Sequence, residues 1–282
     1  MRAFKGKTAV ITGAANGFGL EFAKECARRE MKVVMNDIDG ADLQKAAEAV
    51  RAFGAEVATL EADVSLYEEM QKLVKLAVDS FGTLDLMFNN AGVYYIGRVW
   101  EMPVRDLRWM LDANVLSVFY GMREAIPVMQ KQGTPCHIVN VASVAGLTTA
   151  RTMSAYNASK AAVVAASEAA LMDLKALPDN NIGLSVFCPG YVKTDLDNCE
   201  RHRPQRYAQD GDPYYESAAY KKNTTMLHKF IQGGEKIDVV VPSVFRGIEE
   251  DSFYISTDAT DEMFTPVMQK RFGNIVSKTN PA

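Results

Sequence analysis

The sequence predicts an α/β fold: a doubly wound, parallel, seven-stranded sheet with helices on both faces. Three observations carry this. Short β-branched or apolar runs alternate with longer segments of helical period along the 282 residues. A glycine-rich turn stands between the first such run and the first helix, and an acid ends the second run. Helical crossovers force strands to be parallel, and a parallel sheet is covered on both faces.

The first strand is TAVIT, residues 8–12, followed by a helix over 18–29 and the strand KVVMND over 32–37, a βαβ opening. Further strands are expected near 56–61, 84–89, 137–142, 183–187 and 253–256, with helices near 41–53, 66–81, 104–130 and 154–177. No repeat, low-complexity tract or Pro/Gly-rich linker divides the chain, so one domain over 1–282 is expected. The rhythm breaks at 190–252, far longer than the roughly dozen residues a parallel crossover needs. Its first part, 191–233, reads as a substrate lid inserted into the domain.

Composition narrows the function. Hydrophobic residues at 48% and charged residues at 23% are ordinary globular values and exclude disordered, collagen-like and fibrous classes. The net charge of −4 provides no basic field for a nucleic acid or an anionic membrane. Cys26, Cys136, Cys188 and Cys199 show no zinc-like spacing, and His137, His202 and His228 are scattered, so no metal is expected. Cys188 reads as a small buried hydrophobe. No apolar run reaches the ~18 residues of a membrane span, and the first residues lack a cleavable leader, so a reduced, cytoplasmic compartment is expected. Arg201, His202, Arg203 and Arg206 lie among acids and read as a mixed solvated face.

The turn after the first strand is TGAANGFG, with Gly13, Gly17 and Gly19 around Asn16 and Phe18. Such glycines let the backbone turn tightly and approach a pyrophosphate, and the helix N-terminus offers unpaired N–H groups to the anion. A glycine trio alone also serves packing; its place between strand and helix favours the dinucleotide reading. Asp37 ends the second strand about 20 residues past the middle glycine, where an acid accepts hydrogen bonds from an adenosine ribose and repels a 2′-phosphate. Neither Ala15 nor the neighbouring Ile38 brings positive charge, so NAD is expected over NADP.

Four more motifs join the glycine turn in order: Asp63-Val64 after the third strand, NNAG (residues 89–92) after the fourth, Ser143 after the fifth, and Tyr156 and Lys160 in Tyr-x-x-x-Lys on the next helix. With Asn114 between them, residues 7 to about 194 resemble the short-chain dehydrogenase/reductase family in its compact single-domain branch, which implies a Rossmann-like sheet. By this resemblance Asp63 and Val64 hold the adenine. Asn90, Ala91 and Gly92 line the cofactor cleft. PGYVKT, residues 189–194, sets Pro189, Gly190, Val192 and Thr194 against the nicotinamide amide.

Oxidising an alcohol by hydride transfer also removes the hydroxyl proton. Tyr156 is the expected acid/base, and Lys160, four residues on and so on the same helical face, is expected to depress its pKa. The resemblance adds a Lys160 contact to the nicotinamide ribose and an Asn114 contact that places a water for proton relay. Ser143 would orient the substrate oxygen. Met226, Leu227, Phe230 and Ile231 in the lid, with Tyr94, Tyr95, Ile96, Leu147 and Met153, suggest a bulky hydrophobic alcohol or ketone, steroid-like or aryl. The resemblance also implies paired interface helices at 104–130 and 154–177. The second carries Ala161, Ala162, Ala165, Ala166, Ala169 and Ala170, so a homotetramer is expected.

Two other readings remain. One is a catalytically silent NAD-binding sensor or scaffold, which usually shows a broken catalytic set. The other is an epimerase or dehydratase, against which the G-x-x-x-G-x-G spacing and the lack of a sizeable C-terminal domain speak.

Overall fold

The computed structural model describes residue 1 and residues 3–280; the expected domain, 1–282, also includes positions 2 and 281–282, which lie outside the described residues. Among the described residues a seven-stranded sheet runs in the order β3-β2-β1-β4-β5-β6-β7. The strands are β1 (Thr8–Thr12), β2 (Lys32–Asp37), β3 (Val57–Glu61), β4 (Leu86–Asn89), β5 (Cys136–Val141), β6 (Ile182–Phe187) and β7 (Tyr254–Ile255). All pairings are parallel. Strand order reverses between β1 and β4, which opens a crevice at the carboxyl ends of these strands.

The apolar runs are continuous because both faces of the sheet are covered. Successive side chains on one strand enter different cores: Val10, Met87, Ile138 and Val186 one, Ile11, Phe88, Val139 and Phe187 the other. The first set packs under α3 (Tyr67–Phe81) and α6 (Ser154–Lys175), the second under α1 (Gly17–Arg28) and α2 (Gly40–Arg51). Each fully buried Val, Ile or Phe contributes roughly 1.5–3 kcal/mol. Phe22 stacks on Phe88 at 4.6 Å and Phe18 meets Phe187 edge-on at 5.2 Å, so aromatic contacts seat the first turn of α1 against the sheet.

The helix expected over 104–130 is broken. Helix α4 (Val104–Leu111) passes into a π-turn, Asp112–Leu116, before α5 (Ser117–Gln132). Asn114 sits in that turn, tied by side-chain hydrogen bonds to Val93 and Ser159 on other elements. Those contacts favour one extra residue in the turn, while the apolar rhythm on either side continues.

Between β6 and β7 come three short 3₁₀ turns, Leu196–His202, Gln205–Tyr207 and Pro213–Glu216, then α7 (Ala218–Gln232) and α8 (Ile237–Glu250). Only α8 packs on the sheet as a crossover helix, through Val240, Val244, Phe245 and Ile248. No element is expected after the last strand, yet α9 (Asp258–Ser277) lies there. Its cap, Thr257 Oγ1 accepting from Thr260 N at 3.2 Å with Asp258 and Asp261 in the first turn, was legible in the sequence. No helix among the described residues is long and apolar enough to cross a membrane.

Candidate active site

The site grows from the carboxyl ends of β1, β2, β4, β5 and β6. After β1, Gly13 (φ +63°) and Gly17 (φ +51°) take left-handed conformations that disfavour a side chain. A Cβ on Gly19 would stand 2.0 Å from the Gly13 carbonyl oxygen, so only glycine lets α1 start so close to the strand. Asn16 precedes α1 without a side-chain cap, which leaves the helix N–H groups for an anion.

The loop after β4 is fastened to this turn. Asn90 Nδ2 donates to the Thr12 and Gly13 carbonyls at 2.8 and 3.1 Å, and Thr12 Oγ1 accepts from Asn90 N and Ala91 N. Asp37, buried at the end of β2, accepts from Ala15 N at 2.9 Å and Asp39 N at 3.1 Å, so its carboxylate also braces the glycine turn. The result is a cleft of about 340 Å³. Of the candidate cofactor residues only Gly19 stands outside its wall, beneath the turn; of the catalytic candidates only Asn114 does. Two left-handed glycines, an uncapped helix end and a buried ribose-side acid fit a dinucleotide.

Ser143, Tyr156 and Lys160 converge on one end of the cleft. Lys160 is buried, and its ammonium donates to the Val141 carbonyl at 3.0 Å. Burial draws its pKa down to about 8. Tyr156 packs its ring 4.1 Å from that of Tyr94, and burial pushes its phenol above the ordinary value while the nearby Ser143 hydroxyl works the other way. The expected depression of Tyr156 by Lys160 is therefore not what the structure holds: desolvation dominates, with the ammonium 5.8 Å from the ring centre and bonded elsewhere. Ser143 Oγ accepts from Ala145 N at 3.1 Å and reaches the Pro189 carbonyl at 3.4 Å, joining the β5 turn to the 189–194 segment.

Asn114 stands behind this group. Its Oδ1 accepts from Val93 N at 2.7 Å, and its Nδ2 donates to Val93 O at 3.0 Å and Ser159 Oγ at 3.1 Å. A Cβ on Gly92 would lie 3.0 Å from Asn114 Oδ1 and 3.6 Å from Lys160 Nζ, so a bare backbone at that position lets all three approach.

Of the apolar residues expected to wall a substrate, Tyr94, Met153 and Ile231 border the cleft; Tyr95, Ile96, Leu147, Met226, Leu227 and Phe230 do not. Tyr95, Ile96 and Leu227 are buried in the core beneath the insertion, where Met226 also packs, and Phe230 stacks on Tyr191 at 5.0 Å. Phe264 and Val267, on the unexpected α9, complete the wall beside Tyr191.

Within the basic cluster Arg201 and Arg206 stay exposed among acids, and Arg203 departs from the expected solvated face. Arg203 is only 6% exposed, donates to Asp106 at 2.7 Å and Glu200 at 2.8 Å, and lies 4.5 Å over the Trp109 ring. Arg206 and Arg201 reach across to Asp63 and Asp42, and His202 borders the cleft. No signal marked Arg203, because the Asp106 and Trp109 that bury it are distant in sequence. His137 is structural: it is buried, bonds Ser185 through Nε2 at 2.8 Å, and burial pulls its pKa to about 3. Cys188 is buried, as expected, and burial pushes its thiol up to about 12.

The fold and these motifs are those of the short chain dehydrogenases: the family model of that description matches residues 7–205, and the chain belongs to this family. Over 281 residues, all of this chain and 97% of the relative, it is 40% identical to a CLA biosynthesis dehydrogenase/reductase of Lactiplantibacillus plantarum. It is 35% identical to a cyclohexanol dehydrogenase of an Acinetobacter species, covering 68% of this chain and 76% of that one. Among solved structures, a short chain dehydrogenase/reductase from Burkholderia phymatum in complex with NAD superposes with a TM-score of 0.95 at 36% identity, covering 100% of this chain and 98% of the other.

Proposed function

We propose that the protein is an NAD-dependent oxidoreductase that interconverts a secondary alcohol and a ketone. The observation that carries this is the meeting of Ser143, Tyr156 and Lys160 at the end of a dinucleotide cleft, beside the 189–194 backbone. Bound NAD supplies the hydride acceptor, and its reduced form the donor.

Ser143 holds the substrate oxygen by a hydrogen bond and aims it at Tyr156. Tyr156, kept protonated by its burial, delivers a proton to the developing alkoxide in the reducing direction and takes one in the other. Lys160 reaches the nicotinamide ribose, and Asn114 keeps the Val93 backbone and Lys160 in register for proton exchange with solvent. Asp37 and Ile38 receive the adenosine ribose, Asp63 and Val64 the adenine, and Pro189, Gly190, Val192 and Thr194 the nicotinamide amide.

The substrate is bulky and largely apolar, steroid-like or aryl. Tyr94, Met153, Tyr191, Ile231, Phe264 and Val267 support this, since such a wall offers few partners to the hydroxyls of a sugar. The relative named for cyclohexanol supports an alcohol or ketone in general. The chain acts as one domain with 191–233 as a substrate lid, in the cytoplasm, where its four buried free cysteines stay reduced. It assembles as a homotetramer through the 104–132 region and α6, where Leu111, Phe119 and Met172 are exposed and Ala165 and Ala169 allow close helix approach.

The test is NADH absorbance with purified protein, NAD and a panel of hydrophobic secondary alcohols, beside Tyr156→Phe. Turnover by the wild type and its loss in a variant that still binds NAD is expected. No turnover with any alcohol or ketone, despite NAD binding, would favour a silent NAD sensor. A monomer by light scattering would remove the tetramer.

A further inference from the structure

The insertion does more than stand over the substrate end. From Thr194 beside the nicotinamide segment, the chain runs along the cleft to its opposite end, where His202 and Pro204 share the wall with Asp37, Ile38 and Asp63. There Arg201, His202 and Arg206 reach across to α2, its cap and the turn after β3. Arg201 Nη1 lies 2.9 Å from Asp42 Oδ2 in the first turn of α2, and its Nη2 lies 2.8 Å from Asp195. His202 Nδ1 lies 3.8 Å from Asp39 Oδ2, the residue that caps α2. Arg206 Nη2 lies 2.6 Å from both Asp63 Oδ2 and Ser65 Oγ, in the turn after β3.

The segment is anchored from behind. Between these contacts Arg203 points the other way, into the Asp106, Glu200 and Trp109 pocket, and its Nη1 also donates to the Tyr207 carbonyl at 2.9 Å. One end of the strap is thus a buried, densely bonded anchor, while its cleft side rests on half-exposed ion pairs. Asp63 is gripped from two sides: Ser65 N and Oγ donate to its Oδ1 at 3.0 and 2.6 Å, and Arg206 meets its Oδ2. A carboxylate so held keeps further lone pairs for a ligand but cannot swing away from it.

We propose that Arg201, His202 and Arg206 form a clasp over the adenosine half of the NAD site, so that cofactor exchange, and not only substrate entry, requires this segment to lift. Arg206 is in addition the positioning residue for Asp63. The proposal rests on the reading of the cleft as an NAD site. Ion pairs this exposed are individually weak and screened by salt, so the clasp slows release by the sum of small terms and loosens as ionic strength rises.

The experiment is stopped-flow displacement of NADH, followed by its fluorescence, with no substrate present. The double variant Arg201→Ala/Arg206→Ala should release NADH about three- to tenfold faster than the wild type. The wild-type rate should climb between about 0.05 and about 0.5 M NaCl, and the double variant should lose most of that dependence. Arg206→Lys should restore much of the slow release. Asp42→Asn, a near-isosteric change at a partly exposed residue, tests one pair from the α2 side and should speed release about twofold. Wild-type release rate and salt dependence in Asp42→Asn and in a folded double variant would overturn the clasp while leaving the NAD site standing. Failure of the wild type to bind NADH would overturn the cofactor reading and the clasp together.

Discussion

Replacing Asn114 by Ala tests whether the π-turn exists for the sake of Val93. The substitution removes the acceptor of Val93 N at 2.7 Å and the donor to Val93 O at 3.0 Å, and Asn114 and Val93 are both buried. A buried N–H or C=O left without a partner costs about 1–3 kcal/mol. Two such groups, with the lost contact to Ser159, bring the expected destabilisation to about 2–6 kcal/mol, against about 0.5 kcal/mol or less for an ordinary surface change. Urea unfolding of wild type and variant measures this as a shift in midpoint at unchanged slope. Turnover should fall too, since the freed 92–93 backbone forms the wall beside Lys160. A midpoint shift worth less than about 0.5 kcal/mol would refute the reasoning, because it would mean that Val93 does not depend on Asn114.

Two further outcomes follow from the site. Asp37→Ala should weaken NAD binding about ten- to a hundredfold and narrow the preference over NADP, since the carboxylate both faces the ribose side and braces Ala15 N and Asp39 N; an unchanged ratio of the two dissociation constants would count against it. Burial holds Lys160 at about 8 rather than 10.5, so between those values the unfolded chain carries a proton that the folded chain has shed. Its penalty on folding is therefore full below pH 8 and is relieved as pH rises toward 10.5, by roughly 3 kcal/mol. Subtracting the stability–pH curve of Lys160→Met from that of the wild type should show this rise, and a flat difference would remove the buried ammonium.

Much of the site was legible in order along the chain. The runs that became β1 and β4 are continuous because each residue is buried on one face or the other, and the TGAANGFG turn needs only its own backbone freedom. The four-residue spacing of Tyr156 and Lys160 is a property of one helix. These features depend on forces within a few residues, which a sequence displays. The tertiary structure alone decided the rest. Asn114 leaves the α-helical register because Val93 and Ser159 reach it from other elements. Lys160 titrates low because the surrounding core excludes water from it. Arg203 is indistinguishable from its exposed neighbours in the sequence, and becomes a buried anchor only where folding lays Trp109 and Asp106 beneath it. Desolvation and charge pairing are set by what covers a group, and the covering residues here come from tens of positions away.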